Sequence, residues 1–250
     1  MTDLALPAGI YGRECAAELK RSWRLPQFIV PTVLTPAAFY ALFTLAIPAH
    51  PSPSEATATL ATYGVFAAIG PALFGFGAGI ASEREQGLIE LKRVSPMPAG
   101  AYVAAKLVAT LAATAAAIML IDALSLIAGV RLTAAQWGAL TLLHLASAIP
   151  FALVGFGIGM RMSAKGAVAL ANVLFLGSAI LGGLWFPSQL LPGWMRAIGE
   201  VLPSYHLGQL ARFLVGADTI GTVATHAAAL LAMTAAAFLW ARAGWRRSAA

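Results

Sequence analysis

Six apolar stretches, each about 20 residues long, divide this 250-residue chain and constrain its fold more than any other feature. A helix rises 1.5 Å per residue, so about 20 apolar residues cross the hydrocarbon core of a bilayer. The stretches cover about 27–47, 57–81, 101–128, 136–160, 166–186 and 222–240. Only 10% of the residues are charged and 60% are hydrophobic, whereas soluble domains average about 25% charged. A soluble fold of this size could not hide that much apolar surface. The sequence therefore predicts an all-α, polytopic membrane protein with six transmembrane helices in one membrane domain, 27–250, after an N-terminal segment, 1–26.

The charges sit in short clusters between the apolar stretches, where orientation signals belong. Arg13, Lys20, Arg21, Arg24, Arg84, Lys92, Arg93, Lys106, Arg161, Lys165, Arg242, Arg246 and Arg247 fall on one side of the six-span layout. Only Arg131, Arg196 and Arg212 fall on the other. The positive-inside rule then predicts both termini in the cytoplasm, with the protein in a bacterial inner (plasma) membrane. Charge placed this way argues against nucleic acid as the partner of a chain whose net charge is +6. The single cysteine, Cys15, excludes an internal disulfide and any cysteine-rich metal site. Met1 to Ala8 does not read as a cleavable signal, because the apolar stretch after Arg24 is too long for one.

Gly12 to Arg24 places Cys15, Leu19 and Trp23 on one helical face and Glu14, Glu18 and Arg21 on another, as in a helix lying in the membrane interface. Pro31 and Pro36 interrupt the first span, which neighbouring groups can tolerate, and His50-Pro51-Ser52-Pro53-Ser54 reads as a turn. The stretch 187–221 is too interrupted for a crossing and too apolar for a free loop. It is expected to form two short re-entrant helices in the outer leaflet, which need protein or water around their backbone. Gly75-Phe76-Gly77-Ala78-Gly79 and Gly155-Phe156-Gly157-Ile158-Gly159 echo one another late in the second and fourth spans. No strand precedes either run, so a dinucleotide site is excluded; small residues at this spacing let helices approach closely.

The most informative polar segment is the loop 82–100. In it, Gly87 permits a break, Leu88 and Leu91 share a helical face, and Pro96 and Pro98 stop the helix. A short helix held between two spans can act as a lever. The residues alone suit an ordinary charged loop equally well. The order of residues here resembles the first cytoplasmic loop of type-2 ATP-binding-cassette (ABC-2) exporter permeases. Their pattern is Glu-x-Glu-x-Gly, a small residue, an apolar residue and Glu, then Ser/Thr-Pro. Glu83, Glu85, Gly87, Ile89, Glu90, Ser95 and Pro96 match it, Lys106 matches the basic residue that opens the next span, and Leu88 departs from the usual Thr. Gly182-Gly183-Leu184-Trp185-Phe186-Pro187, Leu191-Pro192-Gly193-Trp194 and Pro203-Ser204-Tyr205 are similar to the family's segment between the fifth and sixth spans.

The resemblance implies a homodimer of six-span subunits with two copies of a separate ABC ATPase. Glu83, Arg84, Glu85, Gly87, Leu88, Ile89, Glu90, Leu91, Ser95 and Pro96 would form the coupling segment. Gly183, Phe186, Pro187, Leu191, Pro192 and Pro203 would form the re-entrant motif, and the first and fifth spans would line the dimer interface and the path. No Gly-x4-Gly-Lys-Ser/Thr run occurs in the chain, so no catalytic, cofactor or metal site is expected on it. ATP and Mg would be bound by the partner. The function expected is a permease subunit moving a drug, lipid or lipid-linked glycan outward. A membrane anchor that recruits an ATPase without passing substrate is the alternative, and a secondary transporter a further one.

Among intramembrane polar residues, Asp122 and His144 lie at similar depth on either side of the turn at Arg131, and a hydrogen-bonded pair is expected. Ser178 and His226 are only a fragment of a serine-protease signal; helix contact explains the serine better. His206, with no second ligand at helical spacing, reads as an interfacial anchor.

Overall fold

The computed structural model describes residues 5–47 and 52–247. The described residues are helical and contain no strand. We number the helices α1 (Ala5–Trp23), α2 (Val30–Ala46), α3 (Pro53–Glu85), α4 (Leu88–Val94), α5 (Ala99–Ile127), α6 (Ala134–Gly159), α7 (Ala164–Leu181), α8 (Gly193–Gly199), α9 (Pro203–Leu214) and α10 (Val223–Arg247). Five of them, α3, α5, α6, α7 and α10, are long and apolar enough to cross a membrane, and α2 is a shorter apolar helix. The protein is thus an all-α polytopic membrane protein. His50 and Pro51 of the predicted turn lie outside the described residues.

Helix α3 is the centre. In its most apolar window 78% is buried, against 6% for α10, and α2, α5, α6, α7 and α9 all lean on α3. The outer surface is correspondingly oily, with Leu126, Ile127, Leu142, Val173 and Leu231 each more than 60% exposed. Water would not tolerate that surface.

The prolines leave local marks. Pro31 falls in a π-helical turn, Val30–Leu34, and Pro71 precedes another, Leu73–Ala78. Around Pro31 the hydroxyls of Thr32 and Thr35 donate to the carbonyls of Phe28 (2.5 Å) and Val30 (3.2 Å). Those side chains supply donors where a proline-bearing span is short of them.

Helices α3, α6 and α7 begin earlier than the apolar runs suggest, because each is capped. Ser52 and Glu55 form a reciprocal capping box, as do Thr133 and Gln136, and Ser163 accepts from the Gly166 N–H at 3.2 Å. Helix α7 also stops at Leu181 and not near 186. Gly183 adopts φ 70°, and the Gly183 and Leu184 N–H groups turn back onto the Ile180 and Ala179 carbonyls. The segment that follows holds a short 3-10 turn, Ser188–Leu190, and then α8 and α9.

The two glycine runs meet each other. A Cβ on Gly155 would lie 2.9 Å from the Ala72 carbonyl oxygen and 3.1 Å from the Gly77 nitrogen. One on Gly159 would lie 2.6 Å from the Phe76 oxygen. Helices α3 and α6 therefore cross backbone to backbone, the packing expected of small residues in lipid. Gly155→Val should lower stability by about 1–3 kcal/mol through overpacking. Gly138→Val, where a Cβ meets nothing within 4 Å, should change it little. Thermal unfolding of the purified protein in detergent checks both.

Candidate coupling site

Where α3 leaves the bundle, four helices are joined by charge. Glu83, in the last turn of α3, is 1% exposed. One of its carboxylate oxygens accepts from Lys106 Nζ of α5 at 2.7 Å and from Arg21 of α1; the other accepts from the Tyr102 hydroxyl of α5 at 2.7 Å. Lys106 is 4% exposed and also donates to Glu18 of α1 at 2.5 Å. Two carboxylates and two cations thus close a neutral cluster, three of whose members are out of water. A buried carboxylate is tolerated only when paired and hydrogen-bonded, and this one has three donors.

Helix α1 consequently turns its acidic face inward. Glu18 is 8% exposed while Trp23 is 45% exposed. The ion pairs with α5 and α3 hold the acidic face against the bundle and leave the Trp23 side of α1 outward. Glu14, one turn before Glu18, pairs with Lys92 of α4. Lys92 also sits 4.8 Å above the centre of the Tyr102 ring, within cation–π range.

The next two residues of the motif brace the other side. Arg84 donates to the Met162 carbonyl at 2.5 Å. Glu85 accepts from the Ala164 N–H at 3.0 Å, a carboxylate at the positive N-terminal end of α7. Gln86 ends the α3 helix, and Gly87 reverses the chain at φ 71°, a conformation glycine adopts without strain. Ser95 closes α4, its hydroxyl donating to the Lys92 carbonyl at 2.6 Å, with Pro96 just beyond.

Between those braces α4 has two faces. Ile89 is 4% exposed and joins the core. With Lys92, Arg93, Met97, Tyr102 and Trp245 it lines a cavity of about 130 Å³ against the end of α10. Glu90 is exposed, as are Leu91 (65%) and Val94 (83%), and Leu88 is half-buried at the margin. Ile89 and Lys92 bind α4 to the bundle while Leu91 and Val94 point away from it.

The motif residues are therefore brought together as one brace around α4. Glu18, Arg21 and Tyr102 were not among the coupling residues expected from the sequence. A signal existed: in a chain with ten acidic residues, Glu14 and Glu18 lie four apart on one helix and require cations.

Asp122 and His144 are not brought together. His144, 1% exposed, donates from Nε2 to the Ala61 carbonyl at 2.9 Å and lies over Gly64, whose Cβ would meet its ring at 2.0 Å. No hydrogen bond joins it to Asp122, which is half-buried on α5. Depth in the sequence was matched, but the rotation of α6 aims His144 at the central α3. In the segment after α7, Gly183, Phe186 and Pro187 border a cleft with Glu55, Thr59 and Arg212. Leu191 and Pro192 lead into α8, and Pro203 opens α9.

Lys106→Met should cost about 3–5 kcal/mol by leaving buried carboxylates short of a cation. The double variant Glu83→Gln/Lys106→Met should lose clearly less than the sum of its singles. Unfolding of the four purified proteins in detergent checks this; strict additivity would contradict the pairing.

The ABC-2 type transporter family matches residues 15–215, which include the Glu18, Arg21, Glu83 and Lys106 cluster, all of α4 and most of the bundle. A Bacillus subtilis (strain 168) protein named as a transport permease, YvfS, is 30% identical over 206 residues, covering 81% of this chain and 84% of that protein. With its spans, its brace around α4 and this likeness, the chain belongs to the ABC-2 type transporter family, as a membrane permease of an ABC transporter.

Proposed function

We propose that this chain is the membrane-spanning subunit of an exporter driven by ATP hydrolysis on a separate ATPase, and that the ATPase docks on the exposed face of α4. The observation that carries this is the pair Leu91 and Val94, among the most exposed large apolar side chains described. They stand beside the exposed charges of Glu90 and Arg93. Apolar groups clustered with a charged rim suit a protein partner.

A push on that face has somewhere to go. Helix α4 is tied to α1 through Glu14–Lys92 and to the core through Ile89. The adjoining turn of α3 is tied to α1 and α5 through Glu83 and to α7 through Glu85. A displacement of α4 therefore loads four helices together. ATPase states that hold α4 differently would bias the bundle between two arrangements, as coupling requires.

In this reading both termini and α4 face the cytoplasm of a bacterial cell, two copies of the chain pair with two ATPases, and cargo moves outward. The cargo class is apolar or amphipathic: a drug, a lipid or a lipid-linked glycan. The placement of basic residues on the α1 and α4 side supports the orientation.

The double variant Leu91→Asp/Val94→Asp should fold and reach the membrane, since neither side chain is in the core. Its co-purification with the ATPase subunit should fall by at least about tenfold, a loss of about 1.4 kcal/mol or more. Full recovery of the ATPase with this variant would contradict the docking face.

A further inference from the structure

At the far end of the bundle, His206 of α9 meets His226 near the start of α10. His226 lies nineteen residues before Trp245 on α10, about 28 Å along the axis from the cavity beside α4. The two Nδ1 atoms are 2.9 Å apart. The ring centres are 5.2 Å apart, which is that separation plus the two ring radii, so the nitrogens face head-on.

The outer nitrogens are already committed. His206 Nε2 lies 2.9 Å from the Glu200 carbonyl oxygen, and His226 Nε2 lies 2.5 Å from that of Ile220. A carbonyl oxygen has no proton to give, so each Nε2 must carry one and donate it. A neutral imidazole has a single N–H. Were both rings neutral, two lone pairs would oppose each other at hydrogen-bond distance. One additional proton on the line between them removes the conflict and makes a charge-assisted bond.

We propose that His206 and His226 are a proton-binding site, taking up one proton between their Nδ1 atoms and so fastening the re-entrant helix α9 to α10. The proton comes from the solution on that side of the membrane, and the pair gains one positive charge. A metal ion does not suit the geometry. Two zinc–nitrogen bonds of about 2.0–2.1 Å each cannot fit on the straight 2.9 Å line, and the described residues hold no group of three or more metal-ligating side chains.

Taken together the surroundings hold the His206 imidazole below its ordinary range, so the shared bond to His226 must supply the affinity for the one proton. Burial pushes the His206 imidazole below its ordinary range, its bond to the Glu200 carbonyl pulls it back up, and positive charge on His226 pushes it down again. The last effect acts against a second proton only, as for any coupled pair. The Glu200 carboxylate at the end of α8 favours the charged form. Tyr205 of α9 faces both rings edge-on, at 5.3 and 5.7 Å. Arg212, further along α9, is occupied by the Asp218 carbonyl at 2.8 Å and shares a cleft with Glu55 of α3. When the shared proton leaves, one ring must turn, and a direct tie between α9 and α10 opens. The acidity that controls the tie is that of the compartment facing this end; only the identity of that compartment rests on the proposed orientation.

Solid-state NMR of the full-length protein in lipid bilayers, with ¹⁵N-labelled histidine, tests this between pH about 5 and 8. The chain has four histidines, so single variants assign them. At the acid end the wild type should show one strongly deshielded proton correlated with two imidazole nitrogens, absent in His206→Leu and in His226→Leu. In His226→Leu the His206 midpoint should fall by about one pH unit, a tenfold loss of proton affinity. Should that variant not fold, His226→Gln replaces it, since an amide can donate to Nδ1 without taking a proton; the same fall is expected. An unchanged His206 midpoint without His226, or no doubly correlated proton in the acid wild type, would overturn the proposal. Neither readout needs an ATPase or a substrate, so failure here and failure of the docking face remain separate.

Discussion

Lys106 reaches two carboxylates that come from different helices and would otherwise be stranded. Glu18 arrives on α1, Glu83 on α3, and the ammonium between them belongs to α5. None of the three could be buried without the others, since an unpaired charge in a low-dielectric site costs several kcal/mol. Their mutual dependence fixes how α1 docks, which way the end of α3 points and where α5 starts. Such clusters add less to net stability than hydrophobic packing; here the pairs tie the ends of α1, α3 and α5 to one another. At the root of α4 that geometry is what a lever needs.

Elsewhere the bundle is held by shape. In lipid, apolar side chains gain little from leaving their surroundings, so helices associate through close packing and a few hydrogen bonds. The glycines where α3 meets α6 permit backbone contact, His144 sits in the notch left by Gly64, and Phe66 stacks on Phe175 of α7 at 4.6 Å. Arg161, at the end of α6, donates to the Trp240 carbonyl of α10 at 2.6 Å and lies over the Trp240 ring. The lightly buried last helix is therefore pinned by polar contacts at both ends, by His226 at one and Arg161 at the other.

Much of this was legible in the sequence, and the gaps have physical causes. Twenty-residue apolar runs announce helices because lipid allows little else. The breaks at Gly87 and in 187–221 were visible in glycine and proline. Helix ends were less so: Ser52, Thr133 and Ser163 extend helices beyond their apolar runs, and Gly183 cuts one short. Rotation about a helix axis was not legible at all. Asp122 and His144 match in depth and point to different neighbours, and α1 shows its acidic side to the core because its cations come from residues 92 and 106. The meeting of His206 with His226 joins helices whose mutual placement no local spacing encodes. Motif order drew attention to the segment around α4; the inward turn of Glu83 and Ile89 and the outward turn of Leu91 and Val94 follow from how that helix rotates against its neighbours.

The central claim is that α1, α4 and the end of α3 move as one piece when the ATPase acts. Spin labels on Lys20→Cys in α1 and Gln86→Cys at the α3–α4 corner, in a Cys15→Ala background, measure it by pulsed electron-spin distance spectroscopy on the permease–ATPase complex. In complexes carrying one labelled copy of the chain, the account predicts one Lys20–Gln86 distance, the same in the nucleotide-free and ATP-bound complexes, while a label pair from Gln86→Cys to the far end of α10 changes. A Lys20–Gln86 distance that shifts with nucleotide while the bundle stays still would contradict it.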